Sequence, residues 1–211
     1  MLQFLEFQKF YNNFPALKID DLTIEPGIYW VKGVNGSGKS TLLKSIAGIL
    51  SFNGDISLNG GISIKKDPVA YRKLVNFAEA EPLFPEFLTG KEMVKLFVSA
   101  KDAPAGQQPY FIESMKMQSY IDRPIGTYSS GMLKKLSLVL AFLGRPKLIL
   151  LDEPLITIDT ESLKILYSWI SVQHKENGVS FMLSSHQPLD AKDVPNAKEL
   201  EVVEQSLRVN F

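Results

Sequence analysis

The sequence predicts an α/β domain with a mainly parallel core sheet, an N-terminal antiparallel β-subdomain and an inserted α-helical subdomain. Three observations carry that expectation. The apolar run Ile28-Tyr29-Trp30-Val31 is followed by a glycine-rich loop and then by Leu42, Leu43, Ile46, Ala47 and Leu50, whose spacing is helical. A second run, Leu148-Ile149-Leu150-Leu151, precedes a helical pattern and a third apolar run from Val179 to Leu183, and strands alternating with helices imply parallel pairing. Between these stretches, from Pro82 to Pro124, prolines punctuate short helical patterns, which marks an insertion.

In chain order, Leu2 to Val31 shows apolar clusters broken at Asn12-Asn13, Asp20-Asp21 and Pro26-Gly27, the pattern of antiparallel strands and turns leading into a buried strand that ends at Gly33. Turn signals at Asn53-Gly54 and Asn59-Gly60-Gly61 bracket Ile56 and Leu58, and Ile62 and Ile64 follow, so a hairpin should continue the N-terminal sheet. Glu92 to Ala100 and Pro109 to Met117 read as helices of the insert. Ser129 and Ser130 suit the cap of a helix running towards Gly144 and stopped by Arg145-Pro146. A helix from about Thr160 carries Leu163, Leu166, Trp169 and Ile170 on one face and ends at Asn177-Gly178. Beyond Glu199, apolar and polar residues alternate on both sides of Glu204-Gln205-Ser206, a terminal hairpin. Residues 1–211 are expected to form one domain, with the helical subdomain at about residues 82–145.

Composition narrows the function. Apolar residues make up 45% and charged residues 22%, which is the balance of a packed globule. A net charge of +0 removes the electrostatic case for nonspecific nucleic-acid binding, so no direct nucleic-acid partner is expected. With no cysteine, disulfides, thiolate metal sites and cysteine nucleophiles are excluded, which fits a reducing compartment. The start, Met1-Leu2-Gln3-Phe4-Leu5-Glu6, lacks the marks of a signal peptide, and no apolar run reaches the ~20 residues a membrane-spanning helix needs.

Gly33-Val34-Asn35-Gly36-Ser37-Gly38-Lys39-Ser40 fits the eight-position phosphate-loop pattern throughout and lies between a predicted strand and a predicted helix, the start of a P-loop NTPase core. Glycines let successive N–H groups turn inward, and the helix N-terminus adds positive potential, so the loop cradles phosphate oxygens. In that pattern Lys39 reaches the β- and γ-phosphates, Ser40 supplies a hydroxyl to Mg²⁺, and Thr41 joins the cradle. A glycine-rich turn alone is the bland alternative; four specified positions and both flanking elements outweigh it. The apolar strand Leu148 to Leu151 delivers Asp152 and Glu153 to its C-terminal end, where open α/β sheets bind ligands. Asp152 is expected to hold Mg²⁺ through water and Glu153 to orient or deprotonate the attacking water. His186, after Ser184-Ser185, stands where it can donate to the γ-phosphate or that water, whereas His174 falls late in a helix and suits its C-terminus.

Over nearly the whole chain these residues resemble the ATP-binding cassette (ABC) family. Tyr128-Ser129-Ser130-Gly131-Met132 occupies the place of that family's Leu-Ser-Gly-Gly-Gln signature, with Ser130 replacing the first glycine and Met132 the glutamine. The resemblance implies that Ser129 and the Gly131 backbone meet a γ-phosphate presented by a second ABC ATPase domain, in a homodimer or with a related subunit. It also implies that Asp159 is the D-loop aspartate, that His186 is the switch histidine, and that Tyr11 stacks on adenine, with Phe10 or Phe14 as alternatives. Where the family places a glutamine that touches Mg²⁺ and couples to the membrane partner, this sequence has Ala80 between Glu79 and Glu81.

The expected function is ATP binding and hydrolysis, with ATP and Mg²⁺ in the site. The expected role is the motor subunit of a transporter, cytoplasmic and attached to the inner face of the cell membrane through an integral membrane subunit. The alternative is a soluble ABC ATPase acting on a protein or nucleic-acid complex. That class should carry two tandem cassettes or a long coiled-coil insertion, and the sequence has neither.

Overall fold

A computed structural model describes residues 1–58, 60–185, 194 and 197–210. Strands β1 (Leu2–Tyr11), β2 (Phe14–Ile24), β4 (Asn53–Leu58) and β5 (Ile62–Ser63) form an antiparallel sheet in the order β2-β1-β4-β5. The other strands are β3 (Ile28–Lys32), β6 (Val75–Ala78), β7 (Leu148–Leu151), β8 (Ser180–Ser184), β9 (Lys198–Val203) and β10 (Ser206–Asn210). They make a six-stranded sheet, β10-β9-β3-β8-β7-β6, parallel except for the final hairpin pair. Helix α1 (Lys39–Ile46) shares one core with both sheets, through Leu42, Leu43 and Ile46 packed with Phe7, Leu150 and Val202. The other face of the large sheet meets α5 (Ser130–Phe142) and α6 (Thr160–Asn177) in a second core around Phe142, Trp169 and Phe181.

Both faces of the parallel sheet being covered explains the uninterrupted apolar run of β7. Ile149 and Leu151 enter the second core while Leu148 and Leu150 enter the first. The insert holds α3 (Gly90–Ala100), α4 (Gln107–Ser114) and a 3₁₀ turn at Ile125–Thr127 ahead of α5. Thr89 and Glu92 form a capping box at the start of α3. The end of α5 is fixed by side chains from elsewhere: Asn76 donates to the carbonyls of Ala141 (2.7 Å) and Leu143 (2.8 Å), and the Gln107 amide bonds both backbone groups of Gly144.

Two expectations need correction, and one segment was missed. Asp20 and Asp21 do not break the chain, because β2 runs through them and both point to solvent. Asn53-Gly54 opens β4 rather than making a turn; Gly54, at φ 79°, lies against the Glu6 backbone, where β1 bulges with φ 47°. The segment α2 (Pro68–Leu74) and β6 was not anticipated. The hairpin between β4 and β5 and the one between β9 and β10 form as expected, the second turning on Glu204 and Gln205 with φ 50° and 60°. Asn59 and Phe211 lie outside the described residues.

Candidate nucleotide site

The chain leaves β3, turns through the glycine loop and enters α1 at Lys39. A Cβ at Gly33 would stand 2.7 Å from the Val202 carbonyl of β9, so the close approach of those two backbones requires glycine. Gly38, at φ 108°, precedes α1 and gives it no side-chain cap, which leaves the N–H groups of the first turn to serve an anion. Lys39 is buried, only 6% exposed, and its ammonium folds back on the loop and donates to the carbonyls of Gly33 (2.8 Å) and Val34 (3.3 Å). Ser37 Oγ is buried without a hydrogen-bond partner, an unfilled polar position inside the loop. Asn35, Gly36 and Ser40 are exposed along it.

A cleft of about 390 Å³ opens over Gly36, Ser37, Gly38 and Thr41, with Tyr11 also lining it alongside Glu204 and Gln205 of the final hairpin. The hydroxyls of Tyr11 and Thr41 are 3.3 Å apart, and the Lys9 ammonium sits 5.0 Å from the Tyr11 ring centroid. Phe10 and Phe14 do not line this cleft.

Asp152 and Glu153 follow β7, and both are buried. The Ser184 hydroxyl, at the end of β8, donates to Asp152 Oδ1 (2.6 Å) and accepts from the Glu153 N–H (3.0 Å). Because β8 lies between β3 and β7, the glycine loop and this carboxylate pair leave one sheet edge two strands apart, about 10 Å. Glu153 adopts φ 44°, a sparsely populated conformation that functional sites retain when their surroundings enforce it. Among the described residues no three His, Cys, Asp or Glu side chains cluster as metal ligands. The hard oxygens of Ser40 and Asp152 suit Mg²⁺ completed by nucleotide oxygens and water. His186 lies outside the described residues.

Helix α5 joins the remaining groups. Ser129 caps it, accepting from Met132 N–H (3.3 Å) while its own N–H meets Met132 Sδ (3.5 Å), so methionine completes a capping box where the family has glutamine. A Cβ at Gly131 would lie 3.1 Å from the carbonyl of Thr157, a β-branched residue at φ 63°. Asp159 caps α6 through Ser162 and pairs with Lys135 at 2.8 Å; Lys135 foremost, then the Ser162 N–H, hold its carboxyl well below the usual carboxylate range. Ser129 and Gly131 therefore gather with Thr157 and Asp159, while Tyr11, Ser37, Gly38 and Thr41 gather at the cleft.

One turn into α5, the fully buried Lys134 ammonium donates to the carbonyls of Asp152 (3.0 Å), Glu79 (3.1 Å) and Ala80 (3.3 Å). Burial pushes it down to about 8, against the opposing pull of the Asp152, Glu153 and Glu79 carboxylates. The Glu79 carboxylate pairs with Lys44 of α1, and Glu81 is exposed. Ser184, Lys134, Lys44 and Lys135 escaped the sequence reading. Only Lys134 left a signal there: it shares a helical stripe with Leu138 and Ala141, where a lysine must have a reason to be buried.

The family profile described as ABC transporter matches residues 17–156. The chain is 32% identical over 190 residues to the cytochrome c biogenesis ATP-binding export protein CcmA of Legionella pneumophila, covering 90% of this chain and 94% of that protein. It is 30% identical over 182 residues to the ABC-type transporter ATP-binding protein EcsA of Bacillus subtilis, covering 83% of this chain and 73% of that protein. Against the human ATP-binding cassette sub-family A member 13 it is 30% identical over 195 residues, covering 85% of this chain, and spans only 4% of that protein's length. A solved ATP-binding subunit of an ABC transporter superposes with a TM-score of 0.87 at 23% identity, over 99% of this chain and 90% of the other, and so supports the fold.

Proposed function

The chain belongs to the ABC transporter family and is an ATP-binding, ATP-hydrolysing domain of that family, and from this premise we propose that it is the motor subunit of a transporter, dimerising around MgATP and driving a separate membrane subunit. The observation that carries the reading is the common sheet edge from which the glycine loop and the Ser184-linked Asp152-Glu153 pair emerge.

In this reading Lys39 exchanges the carbonyls of Gly33 and Val34 for the β- and γ-phosphate oxygens. The N–H groups from Asn35 to Thr41 surround the phosphates, and Tyr11 stacks on the base. Ser40 and Asp152 hold Mg²⁺, which neutralises phosphate charge when bound. Glu153 takes a proton from water as its oxygen bonds the γ-phosphorus and the bond to the bridging oxygen breaks, giving ADP and phosphate. His186 donates a hydrogen bond to the same phosphate. Ser129 and Gly131, at the exposed N-terminus of α5, serve the nucleotide of the facing domain, which accounts for their separation from the glycine loop within one chain.

No helix among the described residues is long and apolar enough to cross a membrane. An apolar groove between α2 and α3, lined by Val69, Leu96, Phe97 and Ala100, suits a short apolar segment. We assign it to the membrane subunit, which keeps the domain at the inner face of the membrane. Reconstitution with its membrane subunit, identified by co-purification, should raise ATP turnover, and Leu96→Glu should abolish that stimulation while sparing the basal rate. Equal turnover with and without the membrane protein, for wild type and variant alike, would argue against a transporter role.

Glu81 is the candidate to replace the missing glutamine at Ala80, because Glu79 is engaged with Lys44 whereas Glu81 is exposed beside Pro82. The Mg²⁺ concentration for half-maximal hydrolysis should rise several-fold in Glu81→Ala and stay unchanged in Glu79→Ala. Unchanged Mg²⁺ dependence in both would make this turn a contact surface for the partner instead.

A further inference from the structure

We propose that Lys134 is a positioning residue for hydrolysis: its buried ammonium ties the Glu79-Ala80 turn and the Asp152 carbonyl to helix α5, and so holds the carboxylate pair in register with the Ser129 end of that helix. The inference rests on the reading of Asp152 and Glu153 given above.

An ammonium has three donors, and three carbonyls take them at 3.0 to 3.3 Å. A fully buried lysine with this arrangement is costly unless each donor is satisfied, so the two segments that supply the carbonyls must hold their places against α5 for the charge to be tolerated. Those segments have different origins, the exit from edge strand β6 and the exit from β7, and Lys134 joins both to the second turn of α5. The Glu79 side chain then carries the connection to Lys44 on α1, the helix that begins at the glycine loop. On the opposite side of the motif, Lys135 links α5 to Asp159. Adjacent lysines thus bind one helix to the strand end bearing Asp152 and to the cap of α6.

Positions of this kind affect rate more than affinity, because displacing a reacting group by about 1 Å can cost about 100-fold while the glycine loop still holds the nucleotide. Lys134→Met keeps the length and apolar stem but removes all three donors; Lys134→Arg keeps charge and donors. The test measures kcat, KM for ATP, equilibrium ATP affinity, thermal midpoint and amide exchange over residues 79–81. In Lys134→Met, kcat is expected to fall about 10- to 100-fold, ATP affinity to change less than about threefold, and exchange at residues 79–81 to accelerate, with kcat partly restored in Lys134→Arg. The inference is overturned if Lys134→Met retains wild-type kcat, or if both variants lose nucleotide affinity and thermal stability together, the behaviour of a purely structural residue. Absence of ATP turnover in the wild-type protein would instead count against the hydrolytic reading itself.

Discussion

Replacing Lys39 with alanine is expected to lower phosphate release by at least about 100-fold and to weaken ATP binding, with the fold intact. The ammonium is the one cation built into the glycine loop, and its present partners are backbone carbonyls, neutral groups that it can leave for phosphate oxygens without stranding a carboxylate. Two hydrogen bonds from a charged donor contribute about 1.5 to 3 kcal/mol each at most, and the Gly33 and Val34 carbonyls border a cleft that water can enter, so the net loss should be smaller. A shift of a few degrees in thermal midpoint is the expected result for a domain of this size. Activity should therefore collapse while the unfolding transition remains cooperative. Calorimetry and a phosphate-release assay on one preparation separate the two effects, and a folded Lys39→Ala protein with wild-type turnover would remove the loop from the mechanism.

The parallel core was legible because its physical determinants are local. A strand buried on both faces must be apolar at every position, as β7 is, and a glycine loop between strand and helix has few other uses. The α2-β6 segment was hidden for the opposite reason. Asn76 is polar in its sequence neighbourhood and buried in the fold, where its amide satisfies carbonyls at the end of α5 that lie 65 and 67 residues downstream. Hydrophobic periodicity cannot register a strand whose central polar group is paid for by a distant element. Asp20-Asp21 misled in the converse sense, since two adjacent carboxylates read as a break although a strand with a solvent face accepts them.

The site divides along the same line. Residues whose chemistry is carried by the motif itself, Lys39, Ser40, Asp152 and Glu153, could be found by spacing. The residues that position them could not, because each acts through the backbone of another segment. Ser184 bridges Asp152 and Glu153 across neighbouring strands, and Lys134 reaches three carbonyls contributed by two loops. Lysine bound to carbonyls leaves no partner carboxylate to search for. Only its place on an apolar helical stripe betrays it.

Glu153→Gln should separate binding from cleavage more sharply than any other single change. Glutamine matches glutamate in size and can hold the same left-handed backbone, and the Glu153 N–H bond to Ser184 belongs to the main chain and survives the substitution. What disappears is the capacity to accept a proton from water, a contribution of about 100- to 10,000-fold in rate. ATP affinity should stay within a few-fold of wild type, because the groups assigned to the phosphates and base, from Tyr11 to Thr41, are untouched. A protein that binds ATP and fails to cleave it holds the γ-phosphate in place indefinitely, and the exposed Ser129-Gly131 segment of a second chain can then close on it. The variant should accordingly double in mass by light scattering with MgATP and remain a single chain with MgADP. Adding Ser129→Arg to Glu153→Gln should block the doubling while leaving ATP bound, since the bulky cation stands at the cap of α5 and away from the cleft. Wild-type turnover in Glu153→Gln would place the water-activating group elsewhere. Doubling that is indifferent to Ser129→Arg would mean that the chains associate through another surface.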